Sequence, residues 1–227
     1  MNNKTHSKNI TTIKASHIGI FIFVMLVITL TVLANCNPKD KYLNQTDENG
    51  RNNIFIRRNH KVLTNYFIPL PRLMDSLNIE ASDLHIFIDK SYYTLSFMAG
   101  TSLIKQYPVV LGRNPVDDKL KQGDFCTPEG NFKILAKYKH KKWSRFIWID
   151  YPNVESFRKI ANAKRAGILP KDSNPGGEIG IHGVPYYTDF AIDLGLNWTA
   201  GCIALKNKDI NEIFEYANVE TEVVIIK

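Results

Sequence analysis

The chain has 227 residues, a formal net charge of +7 from 29 Lys and Arg against 22 Asp and Glu, and 44% hydrophobic residues. Once an N-terminal leader and the polar stretch after it are set aside, about 145 residues remain, which sets the expectation at one folded domain with a buried core. Part of the positive charge belongs to the leader; what remains suits a polyanionic partner, and export argues against nucleic acid in that role.

Residues 1–17 carry Lys4, Lys8 and Lys14 with no acidic residue, and an apolar run from Ile18 to Ala34 follows, broken only by Gly19, Thr29 and Thr31. A positive end followed by such a run reads as an export signal. Its length lies between the h-region of a cleaved signal and a full span of about 20 residues. Leu33-Ala34-Asn35-Cys36 resembles a lipoprotein box, with Asn35 where Gly, Ala or Ser is usual, so residues 1–35 read either as a signal ending at lipidated Cys36 or as an uncleaved anchor. Both readings leave the positive end in the cytoplasm and the rest of the chain outside it, tethered to the membrane in the cell envelope. Residues 36–60 are polar and read as a tether. From 61 to 83 the chain is apolar again, with Pro69 and Pro71 bracketing Leu70 and a short helix expected over 72–77; docking on the following domain is its expected role.

The domain proper begins at Leu84. The runs 84–90 and 91–98, dense in β-branched and aromatic residues, read as an antiparallel hairpin, and Gly100 turns the chain again. Further strands are expected at 105–112, 131–138, 146–150 and 222–227. Residues 153–165 have apolar positions at helical spacing and end at Gly167 and Pro170. A second helix is expected at 207–217, with Asn207 as its cap and Ile210, Ile213 and Phe214 on one face. The balance is mainly β with about two helices.

Two short glycine-bearing segments stand out: Gly180-Ile-His-Gly-Val-Pro and Asn197-Trp-Thr-Ala-Gly-Cys-Ile-Ala. They supply His182 and Cys202. A free thiol is mostly protonated at neutral pH, so acyl transfer by Cys202 needs a nearby imidazole to take its proton. Gly201 removes bulk where a carbonyl substrate approaches and lets backbone N–H groups turn to an oxyanion. Gly183 does the same beside the histidine. The alternative is a buried structural cysteine and an unrelated core histidine.

His182-Gly183, then Thr199-Ala200-Gly201-Cys202-Ile203, Asn207, Asp209-Ile210 and Val223-Val224-Ile225-Ile226 resemble the signature of the YkuD-type L,D-transpeptidase domain. A second block agrees, with Tyr107 to Gly112, Lys121 to Asp124 and Thr127 to Ile134 resembling that family's upstream strand, turn and Thr-Pro-x-Gly-x-Phe element. The resemblance covers about residues 84–227. Two positions depart from it: the family often has His before the Gly-Cys pair and Arg two residues after the cysteine, where this chain has Ala200 and Ala204.

The resemblance implies a curved β-sandwich and a thiol-dependent transpeptidase acting on peptidoglycan stem peptides, with a cell wall carrying free carboxylates as the polyanionic partner. Cys202 would be the nucleophile and His182 its base. Gly201 would help hold the oxyanion, and the Gly183 carbonyl would orient the imidazole. Thr199, Trp198, Tyr186 and Tyr187 are substrate-binding candidates, with loop packing as the competing reading for the aromatics. Trp143 and Arg145 read as structural or solvent-facing, and Asp124 and Thr127 as turn residues. Cys126 is expected to pack in the turn between them, or to pair with Cys202 in an oxidising compartment. No metal site or cofactor is expected. Two other functions fit the same residues: a hydrolase, either an L,D-carboxypeptidase or an amidase releasing a wall-attached protein, and a catalytically silent wall-binding module.

Overall fold

The computed structural model describes residues 62–227 together with two short strands before them, β1 (Leu43–Thr46) and β2 (Asn52–Phe55), which pair antiparallel within the stretch read as a tether. The export segment 1–35 and Cys36 lie outside the described residues. Among those described, no helix is long and apolar enough to cross a membrane.

Helix α1 (Leu70–Leu77) starts between the two prolines and ends where Asn78 turns left-handed at φ 51°. It buries Leu70, Leu73 and Met74. The strands follow as β3 (Leu84–Asp89), β4 (Thr94–Ala99), β5 (Ser102–Pro108), β6 (Gly130–His140) and β7 (Ser144–Ile149). After helix α2 (Val154–Arg165) come β8 (Gly180–His182), the single-turn α3 (Phe190–Asp193), β9 (Ile203–Ala204), α4 (Asn207–Tyr216) and β10 (Glu222–Ile226).

Strands β3 to β10 form one mixed eight-stranded sheet in the order β5-β4-β3-β10-β6-β7-β8-β9. Its curvature depends on β6, long enough to serve two half-sheets. Residues 130–133 pair with β10, whereas 134–140 pair with β7 after a register shift between Ile134 and Ala136. A bulge of this kind bends a strand and increases its local twist. Both half-sheets feed one core, in which Leu70, Ile86, Phe97, Ile147, Ile203 and Ile213 are all fully buried. The mainly β architecture is thus as expected, with the one-turn α3 added to the helices read from the sequence.

The segment 62–78 is fixed by a buried polar network as well as by its apolar side chains. Glu212 on α4 accepts from Leu70 N, Lys105 Nζ and Tyr107 OH, all within 2.9 Å, and Lys105 Nζ also donates to Ile68 O. Tyr66 OH donates to Asp209 at 2.9 Å. Burial pushes Asp209 up to about 6. In this way α1, β5 and the helix that follows Cys202 are tied together.

One capping expectation is corrected. Lys206, with extended backbone, stands at the N-cap of α4, and Asn207 is the first helical residue. The Asn207 side chain is occupied elsewhere, accepting from Val184 N at 3.2 Å. At α2 the Asn153 side chain does cap, accepting from Ser156 N.

Candidate active site

His182 ends β8 and Cys202 precedes β9, and these two strands run parallel with His182 opposite Ala204. Cys202 is therefore two residues back from the position facing the histidine. Side chains alternate along a strand, so Cys202 and Ala204 share a face with the imidazole. The parallel pairing of β8 with β9 thus sets Cys202 one residue before the strand that runs alongside His182.

The thiol's surroundings are made of backbone. A Cβ on Gly201 would lie 2.6 Å from the Cys126 carbonyl oxygen, and Gly201 has φ +139°, which L side chains rarely adopt. A Cβ on Gly112 would meet Phe125 O at 2.0 Å and Gly201 Cα at 3.2 Å. Three chain segments thus converge where only glycine fits. Thr199 pins the turn: its hydroxyl donates to Cys202 O at 2.6 Å and accepts from Gly201 N at 3.2 Å. Thr199 O and N in turn pair with Arg113 N and Leu111 O.

Cys202 Sγ donates to Glu178 O at 3.5 Å, and among the described residues no hydrogen bond joins it to His182. Burial pushes the thiol up to about 11, against the opposing pull of the Gly180 N–H and the Lys119 ammonium. Lys119 is itself buried and held by Asp124 at 2.8 Å.

The histidine's surroundings are made of rings. His182 is 1% exposed, stacked on Trp143 at 4.5 Å and on Phe146 at 5.7 Å, with Trp198 edge-on at 5.7 Å. His140 stacks on the far side of Trp143 at 4.5 Å. Phe146 reaches the imidazole because it is the cross-strand partner of His182 and because Gly180 has no side chain, whose Cβ would sit 2.5 Å from the Phe146 ring. His182 Nδ1 lies 2.6 Å from Gly183 O, an atom that only accepts, so Nδ1 carries the proton and Nε2 the lone pair. Burial lowers the imidazole to about 4, only partly offset by the Gly183 bond. Gly183 N bonds to Trp143 O at 3.0 Å, and a Cβ there would strike Asn207 Oδ1 at 2.3 Å.

Other candidates fall at varying distance from this pair. Trp198 packs half-buried against the cluster of Val110, Val184, Ile192 and Ala204. Tyr186 and Tyr187 are 73% and 96% exposed on the connecting loop, contacting each other. Ala204 is fully buried and exchanges both backbone bonds with Val110. Arg145 turns toward Phe214. Trp143, read from sequence as structural or solvent-facing, is in direct contact with the imidazole. Asp124 accepts from Leu120, Lys121 and Cys126 N–H groups, and Thr127 Oγ1 from Gly112 N. Cys126 and Cys202 are both free thiols, and Cys126 Sγ donates to Asp124 O. A half-buried thiol and a base whose tautomer is fixed by the Gly183 carbonyl are the groups that acyl transfer through a thioester employs.

Comparison with known proteins agrees with this chemistry. Residues 83–225 match the family model YkuD, described as the L,D-transpeptidase catalytic domain. No curated protein matches the chain. Among solved structures, Bd1075 of Bdellovibrio bacteriovorus is 21% identical over 63% of this chain and 48% of its own, with a TM-score of 0.45. Pgp2 of Campylobacter jejuni, titled a helical cell shape determining protein, is 17% identical over 70% of this chain and 55% of its own, with a TM-score of 0.47. An L,D-transpeptidase from Mycobacterium smegmatis is 16% identical over 64% and 59%, with a TM-score of 0.40. The chain thus spans between 48% and 59% of the length of these three. With a family model matched over well more than half of its residues, the chain belongs to the YkuD family of L,D-transpeptidase catalytic domains.

Proposed function

We propose that the chain is a cysteine acyltransferase of the cell envelope that cuts and rejoins peptidoglycan stem peptides. The observation that carries this reading is the placement of His182 at the end of β8 and of Cys202 immediately before β9, its parallel neighbour, with the imidazole lone pair on Nε2.

At neutral pH the thiol, near 11, is protonated and the imidazole, near 4, is neutral. The pair therefore rests uncharged rather than as thiolate and imidazolium, and deprotonation accompanies attack. Cys202 Sγ leaves Glu178 O and bonds to the carbonyl carbon of the third stem residue as its proton passes to His182 Nε2. The Gly201 N–H is already given to Thr199, so the Cys202 N–H is the backbone donor that meets the oxyanion. The C–N bond then breaks, His182 returns the proton to the departing D-amino acid, and a thioester remains. An incoming amine gives up a proton to Nε2, attacks the thioester and regenerates the thiol. Water in place of the amine makes the same site a hydrolase. Trp198 and Thr199 border the reacting atoms, and Tyr186 and Tyr187 lie further out as groove candidates. Outward placement through residues 1–35, by lipid at Cys36 or by an anchor, would bring this site to its substrate.

Intact mass spectrometry of the full chain in detergent, incubated with a carbapenem and separately with a disaccharide tetrapeptide, tests the reading. The expected result is an adduct on wild type, none on Cys202→Ala and little on His182→Ala, with a cross-linked dimer or an exchanged stem as product. A tripeptide alone would mean hydrolysis. No adduct and no product on a reduced enzyme would overturn acyl transfer altogether.

A further inference from the structure

The hairpin that carries the histidine's aromatic support also carries charge of one sign. Between Glu129 and Asp150 the chain contains Lys133, Lys137, Lys139, Lys141, Lys142 and Arg145 and no acidic residue. Of these, Lys133 pairs with Glu220, Lys137 donates to Phe214 O, and Arg145 turns inward. Lys139, Lys141 and Lys142, at the tip of the β6–β7 hairpin, are exposed and form no ion pair among the described residues, Lys142 Nζ lying over the Trp143 ring at 5.9 Å.

Folding alone does not favour this tip. Lys139 is the direct cross-strand partner of Arg145, and like charges in that position repel. Ser144 is held at φ 60°, with its hydroxyl bonded to Asn211 Oδ1 at 2.8 Å. His140 Nδ1 accepts from both Lys142 N and Trp143 N, which fixes the turn beneath the three ammonium groups. An anion bound at such a tip would offset that repulsion. The tip also leads straight to the site, because Trp143 within the same turn stacks on His182.

We infer that the β6–β7 hairpin tip, through Lys139, Lys141 and Lys142, docks the polymeric wall by its repeated stem carboxylates and holds it beside His182 and Cys202. This deepens the acyl-transfer reading and rests on it for the identity of the polymer. Its consequence is a division of labour: the catalytic pair acts on any stem that reaches it, whereas the hairpin distinguishes a polyanionic strand from a small soluble fragment. Many weak charge pairs in register make such binding steeply dependent on salt.

The test uses the full chain in detergent and a triple variant, Lys139→Gln, Lys141→Gln and Lys142→Gln, with Lys133→Gln as a control from the paired position. Binding is read by co-sedimentation with sacculi stripped of phosphate polymers, and turnover on sacculi and on soluble disaccharide tetrapeptide. The triple variant should lose about tenfold in sacculus affinity at low salt. Its turnover of sacculi should fall likewise and by several times more than its turnover of the soluble fragment, and its melting temperature should match wild type. Lys133→Gln should bind as wild type does, and sacculi whose carboxylates have been amidated should bind wild type no better than the triple variant. Undiminished binding by the triple variant would overturn the inference, as would full binding to amidated sacculi. Lysine-dependent capture of anionic phospholipid vesicles with no such effect on sacculi would overturn it in favour of a membrane surface. Binding is measured without turnover, so an inactive enzyme that still binds through these lysines would count against acyl transfer and leave the docking surface standing.

Discussion

The two halves of the candidate pair are built from different materials. Cys202 sits in a junction of backbone, where Gly112, Gly201 and the Cys126 carbonyl meet without space for a methyl group. His182 sits among side chains, stacked on Trp143 and Phe146 with Trp198 against its edge. A backbone junction tolerates almost no change, because its atoms cannot adopt other rotamers. A ring stack degrades gradually, because one ring can stand in for another. The nucleophile's half should therefore fail abruptly on small substitutions and the histidine's half by degrees.

The largest expected effect is Gly201→Ala. The added Cβ would meet Cys126 O at 2.6 Å and the residue would be held at φ +139°, so the turn bearing Cys202 must move. Acylation should fall more than a hundredfold, about the loss that a 1 Å misplacement of a reacting group brings, with a lowered melting temperature. A Gly201→Ala enzyme that acylates at near wild-type rate would break the comparison at its root.

Next comes Trp143→Ala, expected to reduce acylation about tenfold as His182 gains water and rotational freedom. The imidazole, at about 4 in the folded protein because of burial, should move up toward its ordinary value. An NMR titration of the histidine ring would record that. Trp143→Phe should recover most of the rate, which is the sense in which this half fails by degrees. If the phenylalanine variant were as poor as the alanine one, the stack would not be what positions the ring.

Thr199→Val should cost about tenfold or less. It removes the hydroxyl that links Gly201 N to Cys202 O and leaves two buried backbone groups without that partner, at about 1–3 kcal/mol. The chosen measure is the rate of carbapenem acylation alongside thermal melting. Serine at the same position should restore both.

The same contrast explains what could be read in advance. Part of the backbone half is local in sequence, the glycines beside His182 and Cys202, as are β-branched runs such as Leu84–Asp89 whose burial alternates residue by residue, whereas the approach of Gly112 and the Cys126 carbonyl is not. Helix α2 was equally legible from its apolar spacing and the Gly167 and Pro170 that follow it, and its Asn153 cap is a finding of the structure. The aromatic half is not local. Trp143 precedes His182 by 39 positions in a chain whose register alone sets Phe146 opposite His182, and no spacing rule conveys that register. Helix α3 is four residues long and too short to show a period. The bonds from Tyr66, Leu70 and Lys105 to α4 likewise depend on where α1 docks, which its own sequence does not state.

The smallest effect is also the most specific, because two buried groups titrate in opposite senses over one pH window. His182 is lowered to about 4, below its unfolded value near 6.5, so between those values the unfolded chain binds more protons. Its contribution to stability is present above pH 6.5 and is lost as pH falls toward 4. Asp209, raised to about 6 from 3.8 chiefly by burial, acts the other way. Its protonated form contributes stability at low pH, and that contribution is lost as pH rises through 6. Wild type should therefore show a nearly flat melting temperature between pH 4 and 6. His182→Asn should reveal the Asp209 slope, with stability falling as pH rises, and Asp209→Asn should reveal the histidine's, with stability rising. Each slope is limited to about 1.4 kcal/mol per pH unit, the work of moving one proton. Opposite slopes in the two variants would show that the ring stack keeps His182 desolvated in the whole folded ensemble. A flat profile in Asp209→Asn would mean that water reaches the imidazole, and the aromatic half would then hold its residue no more firmly than an ordinary surface does.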